Sequence, residues 1–364
     1  MKISQAETAL ARCVEAGLTV FLHAQPGTGK SKLVERLARA SGVERRTLSL
    51  SLVQPEDIRV PVPTASGLVW RYAEVLPREG RGILFLDEFP QASETVQSVF
   101  GQLLYQGRLD EYELPPGWVV VCAGNRVEDR AAAHAIPTQI RNRVVHIPVE
   151  TTVEDWADYD PDVPPRVRIE RWPQGRLEDG RPHPLLKAML KTRPDSVSTP
   201  SNWRDLLAWP SPRTLSMASA YMAQRQEMDE IDWAIVAGLI GEPAAAELRT
   251  YAELRLKLPT LEDVKAGRAE AGAVTDPVER WVAAFSLAEE ALQEGEDAVG
   301  AVIEFCRPWG GVIRAALLAT IVRRGPVLGK AVFEWKAVIE LALELDQTGI
   351  VPVTSRQQAR GKQR

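Results

Sequence analysis

The run "AQPGTGKS", residues 24–31, joins an apolar stretch, "LTVFLH", to a helical pattern, "KLVERLARA". A glycine-rich turn ending in Gly-Lys-Ser at such a junction is chemistry for phosphate. Backbone N–H groups converge on an anion while the helix N-terminus points at it. Gln25, Pro26, Gly27, Thr28, Gly29, Lys30, Ser31 and Lys32 form the candidate phosphate-binding run. Gly27 and Gly29 let the backbone wrap phosphates without a Cβ, Lys30 reaches the β- and γ-phosphates, and the Ser31 hydroxyl suits Mg²⁺. Ala24, at the strand exit, stands where a glycine is usual.

Three later segments can serve the same chemistry. "GILFLDEF", residues 82–89, is an apolar run ending in two acids. Ligands of parallel sheets bind at the carboxyl ends of the strands. Asp87 is therefore placed to hold the Mg²⁺ water shell, and Glu88 to orient or deprotonate an attacking water. "VVVCAGN" ends in Asn125, whose amide suits polarising that water or touching the γ-phosphate; the plain alternative is a turn asparagine. In "IPTQIRNRVVHIPV" a short helix feeds a strand with Arg141 and Arg143 at the junction. A guanidinium from a neighbouring molecule stabilises phosphoryl-transfer charge, and Arg143 is preferred over Arg141 for that role.

These groups need a sheet to hold them. Up to about residue 150, "LTVFLH", "TLSLSLV", "GILFLD", "WVVVCAG" and "VVHIPV" alternate with helical stretches, which predicts a mainly parallel sheet covered by helices. Two segments interrupt the alternation, 57–72 and 107–118, and each reads as a β-hairpin. The expected organisation is a nucleotide-binding core over 1–150 and a linker with an α-helical lid over 151–265. A helical extension over 266–346 and a disordered basic tail over 347–364 would follow.

Composition narrows the class. At 364 residues the chain is long enough for two compact units, and 45% hydrophobic with 26% charged residues is ordinary for a globular protein. A net charge of −5 gives no general attraction to nucleic acid or an anionic membrane. No apolar run approaches the roughly 20 residues of a membrane helix, and the amphipathic N-terminus does not read as a secretion signal, so a cytoplasmic location is expected. Cys13, Cys122 and Cys306 match no metal or disulfide spacing and read as buried free thiols. His23, His134, His146 and His183 form no ligand cluster in sequence.

The order of these motifs resembles an AAA+ ATPase: "AQPGTGKS" as Walker A, "ILFLDEF" as Walker B, "AGN" as sensor 1 and "RNR" as the arginine finger. The first hairpin resembles a helix-2 insert and "GRLDEYELPPG" a pre-sensor-1 hairpin, which together mark the MoxR-like branch. "WPSPRTLSMASAYMA" resembles that branch's sensor 2, with Arg213 as its arginine, acting in cis or in trans. The resemblance covers about residues 5–265. It implies an α/β AAA+ P-loop core with hairpin inserts, then an all-α lid and helical extension. It further implies ATP with Mg²⁺ as ligands, a homo-oligomeric ring, usually a hexamer, and a protein client. Such ATPases act as remodelling or metal-insertion chaperones beside a von Willebrand factor A domain protein. This chain has no Asp-x-Ser-x-Ser stretch, so that partner would be a separate polypeptide. The purine is left open between ATP and GTP, and the hairpin near Val69 and Trp70 is a candidate client contact. Two other functions stay in view: a nucleotide-dependent switch or scaffold, and a nucleic-acid motor, against which the acidic balance speaks.

Overall fold

In the computed structural model, the described residues are 1–65, 67–125, 136–152, 167–173, 175, 177, 181–203 and 206–350. His134 and most of the expected basic tail lie outside them. In chain order the elements begin with α1 (Ile3–Glu15), β1 (Val20–His23), α2 (Lys30–Ala40), β2 (Glu44–Ser49), α3 (Pro55–Ile58), β3 (Arg59–Thr64) and β4 (Gly67–Tyr72). There follow β5 (Gly82–Asp87), α4 (Glu94–Gln106), β6 (Arg108–Leu109), β7 (Tyr112–Glu113), β8 (Trp118–Gly124), α5 (Thr138–Arg141) and β9 (Val145–Pro148). The remainder is helical: α6 (Pro184–Thr192), α7 (Pro212–Met222), α8 (Glu230–Ile240), α9 (Glu242–Arg255), α10 (Leu261–Lys265), α11 (Pro277–Glu294), α12 (Glu296–Phe305), α13 (Gly311–Arg324) and α14 (Lys336–Gln347).

Five strands form a parallel sheet in the order β2-β5-β8-β1-β9. The runs with the fewest polar residues occupy its middle. β8 is buried along its whole length and β5 up to Asp87, as strands covered on both faces must be. On one face Leu84, Leu86, Val120, Cys122 and Phe21 share a core with Val96, Phe100, Leu103 and Leu104 of α4 and with Ile140 of α5. β2 begins earlier than "TLSLSLV" suggests, at the charged run Glu44–Arg46. As an edge strand it leaves these side chains partly exposed, which its apolar count hides. Leu50–Leu52 then form a 3₁₀ turn rather than more strand.

Both expected hairpins are present: β3 pairs antiparallel with β4, and β6 with β7. Contacts divide the chain into Met1–Arg181 with Ser198–Ala245, and Pro182–Val197 with Ala246–Arg364. This partition differs from cuts at 150 and 265, for a physical reason: α7 and α8 are bound into the sheet unit. Arg12 of α1 makes paired hydrogen bonds of 2.6 and 2.7 Å to Asp229 at the start of α8 and lies 3.0 Å from Asp232. Asp232, 3% exposed, also accepts from Tyr221 of α7. The contact of α8 with β9 is close enough that a Cβ on Gly238 would lie 2.4 Å from the His146 carbonyl oxygen, so only glycine fits. The second unit contains α6 and α10–α14, with α11 packed against α6, α12 and α13.

Candidate nucleotide site

The turn between β1 and α2 is held open by its glycines. Gly27 and Gly29 have φ of +80° and +82°, a region that a side chain makes costly, and Gly29 caps α2. Ala24 shows no such need: it is absent from the positive-φ residues, is fully buried, and contributes its carbonyl. The Lys30 ammonium donates to that carbonyl at 3.0 Å, to the Gln25 carbonyl at 2.9 Å and to Asn125 Oδ1 at 3.0 Å. The alanine in the first position is therefore compatible with the loop conformation. Thr28 donates back to the Gln25 carbonyl at 2.8 Å, stiffening the turn, and Gln25, Pro26 and Gly27 lie exposed on it.

The strand ends bring the other groups in. The Ser31 hydroxyl donates to Asp87 Oδ2 at 2.5 Å, while Asp87 Oδ1 accepts the Glu88 backbone N–H at 2.9 Å. A hydroxyl and a carboxylate converging beside a phosphate loop form an all-oxygen donor set that suits Mg²⁺. Such an ion usually takes one or two carboxylates and completes its shell with phosphates and water. Among the described residues no group of three or more His, Cys, Asp or Glu side chains is placed to hold a metal ion, so such an ion would depend on a bound phosphate and water for much of its shell. Asn125 meets Lys30 through its carbonyl oxygen, which leaves its amide N–H groups as donors. Lys32 turns elsewhere: its ammonium pairs with Glu35 on the surface of α2 at 3.1 Å.

Glu88 is held by residues that sequence reading passed over. Its backbone is left-handed, φ 55°, a conformation costing about 1–2 kcal/mol in a residue with a Cβ. The Ser49 hydroxyl donates to Glu88 Oε2 at 2.5 Å, and the Ser51 hydroxyl donates to the same oxygen. These two bonds, Ser49 first, hold the carboxyl below its ordinary pKa; burial opposes them and the Lys30 charge assists. Glu88 therefore stands as a carboxylate with Oε2 anchored and Oε1 left to accept from water. Both serines lie in the run "TLSLSLV", and only the pairing of β2 with β5, which sets Ser49 opposite Asp87, reveals their role. Replacing both with alanine is expected to lower kcat about tenfold with KM nearly unchanged, because the carboxylate loses its orientation. Steady-state kinetics of the double variant check this; a faster enzyme would mean that the serines restrain Glu88 instead.

The arginines fall in three settings. Arg141 is committed within its own chain: Nη1 donates to the Leu206 carbonyl at 2.5 Å and the guanidinium lies 5.6 Å from the Trp209 ring centroid. Arg143, two residues on and half-buried, donates to the Gln139 carbonyl. Arg213 is exposed in the first turn of α7 and makes no hydrogen bond or ion pair among the described residues. Ser211, the cap of α7, donates to Asn142 Oδ1 at 2.8 Å and so ties the "RNR" segment to the start of the Arg213 helix. The structure thus joins Lys30, Ser31, Asp87, Glu88 and Asn125 in one place and groups Arg141, Arg143 and Arg213 on two linked turns.

Residues 19–141 match the AAA domain of the dynein-related subfamily. The matched stretch runs from β1 to α5 and contains the whole phosphate loop, Asp87, Glu88 and Asn125. No curated protein matches the chain. A similar solved structure is that of a "putative ATPase" from Cytophaga hutchinsonii, 14% identical. The match covers 64% of this chain and 79% of that one, with a TM-score of 0.44. The α/β AAA+ core is followed by a helical C-terminal region, and among the described residues no helix is long and apolar enough to cross a membrane.

Proposed function

We propose that this protein hydrolyses ATP as a ring-forming remodeller of the MoxR-like branch, with each nucleotide site completed by a neighbouring copy. The observation carrying this reading is the convergence of Lys30, Ser31, Asp87, Glu88 and Asn125 from three adjacent strand ends of an AAA domain. Lys30 exchanges its carbonyl and amide acceptors for the β- and γ-phosphate oxygens, and the first turn of α2 supplies N–H groups to the same anion. Mg²⁺, held by Ser31, Asp87 and the phosphates, would neutralise charge developing on the β–γ bridge. Glu88 Oε1 accepts a hydrogen bond from water, orients it at the γ-phosphorus and takes its proton, while Asn125 donates to the γ-phosphate or to that water. Arg143 reaches the γ-phosphate held by the next copy, and Arg213 contributes from its own or the adjoining subunit.

The client side of the reading rests on the β3–β4 hairpin. Leu68, Val69 and Trp70 are 73%, 44% and 37% exposed, so this hairpin presents apolar groups instead of burying them on the sheet. Such an apolar projection suits a protein client, with a von Willebrand factor A domain protein as the expected separate partner. A slowly turning nucleotide switch is the second reading, favoured by the two hydroxyls that lower the basicity of Glu88.

Phosphate release from ATP and from GTP, each with Mg²⁺ and with excess chelator, tests the enzymatic part. Release is expected with Mg²⁺-ATP and is expected to fall to background on chelation. Nucleotide binding without release, in the presence of a client or partner as well as alone, would sustain the switch reading instead.

A further inference from the structure

Two buried histidines connect the phosphate loop to the arginine segment. His23 ends β1, immediately before Ala24, and His146 lies in the adjacent strand β9; both are 3% exposed. His23 Nε2 is 2.8 Å from His146 Nδ1, and His146 Nε2 is 2.9 Å from the Arg141 carbonyl oxygen. A carbonyl only accepts, so His146 Nε2 carries a proton and, in a neutral ring, Nδ1 is an acceptor. His23 Nε2 must then be the donor. One direction of hydrogen bonding therefore runs from β1 through β9 to Arg141. Burial lowers the His146 pKa to about 4, against a smaller opposing effect of its bond to Arg141, which keeps the ring neutral at ordinary pH.

The pair is surrounded by groups that would favour an apolar substitute. Val20, Phe21 and Leu22 on β1 and Val144, Val145 and Ile147 around β9 are all buried. Phe21 stacks on His23 with ring centroids 4.5 Å apart, and Phe89, which follows Glu88, meets Phe21 edge-on at 5.7 Å. Buried polar rings are costly unless hydrogen-bonded, and an apolar pair here could make no bond to a backbone carbonyl. What these bonds do is pin the carbonyl of Arg141, the last residue of α5, to β9. Asn142 and Arg143 follow that carbonyl directly. At the other end, the residue after His23 supplies the carbonyl to which Lys30 donates.

We propose that His146, backed by His23, is a positioning residue that fixes the turn carrying Arg143 relative to the strand end that feeds the phosphate loop. The proposal rests on the reading of Arg143 as acting on the nucleotide held by a neighbouring copy. It sets where that guanidinium is presented and leaves nucleotide binding in the same chain to Lys30 and the loop.

The test uses two substitutions of similar polarity. In His146→Gln the amide nitrogen can stand in for Nε2 and keep the bond to Arg141. In His146→Asn the side chain can still meet His23 but falls short of Arg141. Glutamine is expected to keep kcat within about threefold, and asparagine to lower it about tenfold or more, with KM for ATP within about twofold in both. Amide hydrogen exchange at Asn142 and Arg143, whose N–H groups donate to the Thr138 and Ile140 carbonyls, should accelerate in the asparagine variant alone, a readout that needs no turnover. Equal kcat in the two variants, a change confined to KM, or equal exchange would overturn the proposal. So would imidazole ¹⁵N shifts of the unmodified protein showing either ring protonated at Nδ1 in place of Nε2, a measurement that decides even if neither variant folds. Absence of ATP hydrolysis by the unmodified protein would remove the functional reading, while exchange and tautomers would still judge the relay.

Discussion

Glu88→Gln is expected to lower the rate of ATP hydrolysis by about 100- to 10,000-fold, the range supplied by a general base, while ATP still binds. Glutamine keeps the length of the side chain and can keep a contact with Ser49 and Ser51, but it takes no proton from water. Lys30, Ser31 and Asp87 and the bonds that place them are untouched, so the proposed nucleotide contacts should survive. The separation between binding and turnover distinguishes this site from one in which Glu88 only shapes the turn after β5. Phosphate release together with equilibrium binding of a fluorescent ATP analogue checks it. Unchanged turnover would remove Glu88 from the chemistry, and lost binding would make its role structural.

Arg143→Ala is expected to reduce turnover about 1,000-fold or more, the scale of an arginine supplied in trans to a phosphoryl-transfer site. Nucleotide affinity in the isolated chain should change little, since the Arg143 guanidinium donates to the Gln139 carbonyl of α5, whereas Lys30 is the cation held in the phosphate loop. Arg141→Ala should behave differently. Its guanidinium already serves the Leu206 carbonyl and the Trp209 ring, so its loss should appear as lower thermal stability along with any loss of rate. Parallel melting curves and ATPase assays of the two variants separate the roles. Equal loss of rate at unchanged stability in both would contradict the preference for Arg143.

The parts of this site that were legible in the sequence are those fixed by local patterns. The strand-loop-helix around Gly27, Gly29 and Lys30 and the apolar run ending at Asp87 and Glu88 need only periodicity and glycine chemistry to be placed. The hairpins at β3–β4 and β6–β7 were visible for the same reason. What escaped depends on which strands become neighbours. Ser49 and Ser51 meet Glu88 only because β2 pairs with β5, and nothing in "TLSLSLV" marks a hydroxyl as a carboxylate partner. His23 and His146 are 123 positions apart, and each by itself reads as one polar residue in an apolar strand. β2 starts at Glu44, ahead of its apolar run, because an edge strand tolerates charge. The fastening of α7 and α8 to the sheet by Arg12, Asp232 and Gly238 likewise rests on contacts without a local sequence signature.

The claim that the nucleotide site is shared between copies is tested most directly by mixing two inactive proteins. Glu88→Gln retains the donor arginine and loses the base, whereas Arg143→Ala retains the base and loses the donor arginine. In a ring of randomly mixed subunits, roughly a quarter of the interfaces would join an intact Glu88 to an intact Arg143. The equimolar mixture is expected to recover ATP turnover to roughly a quarter of the unmodified rate. Turnover no greater than the sum of the two separate variants, with mixed assembly verified, would contradict a shared site.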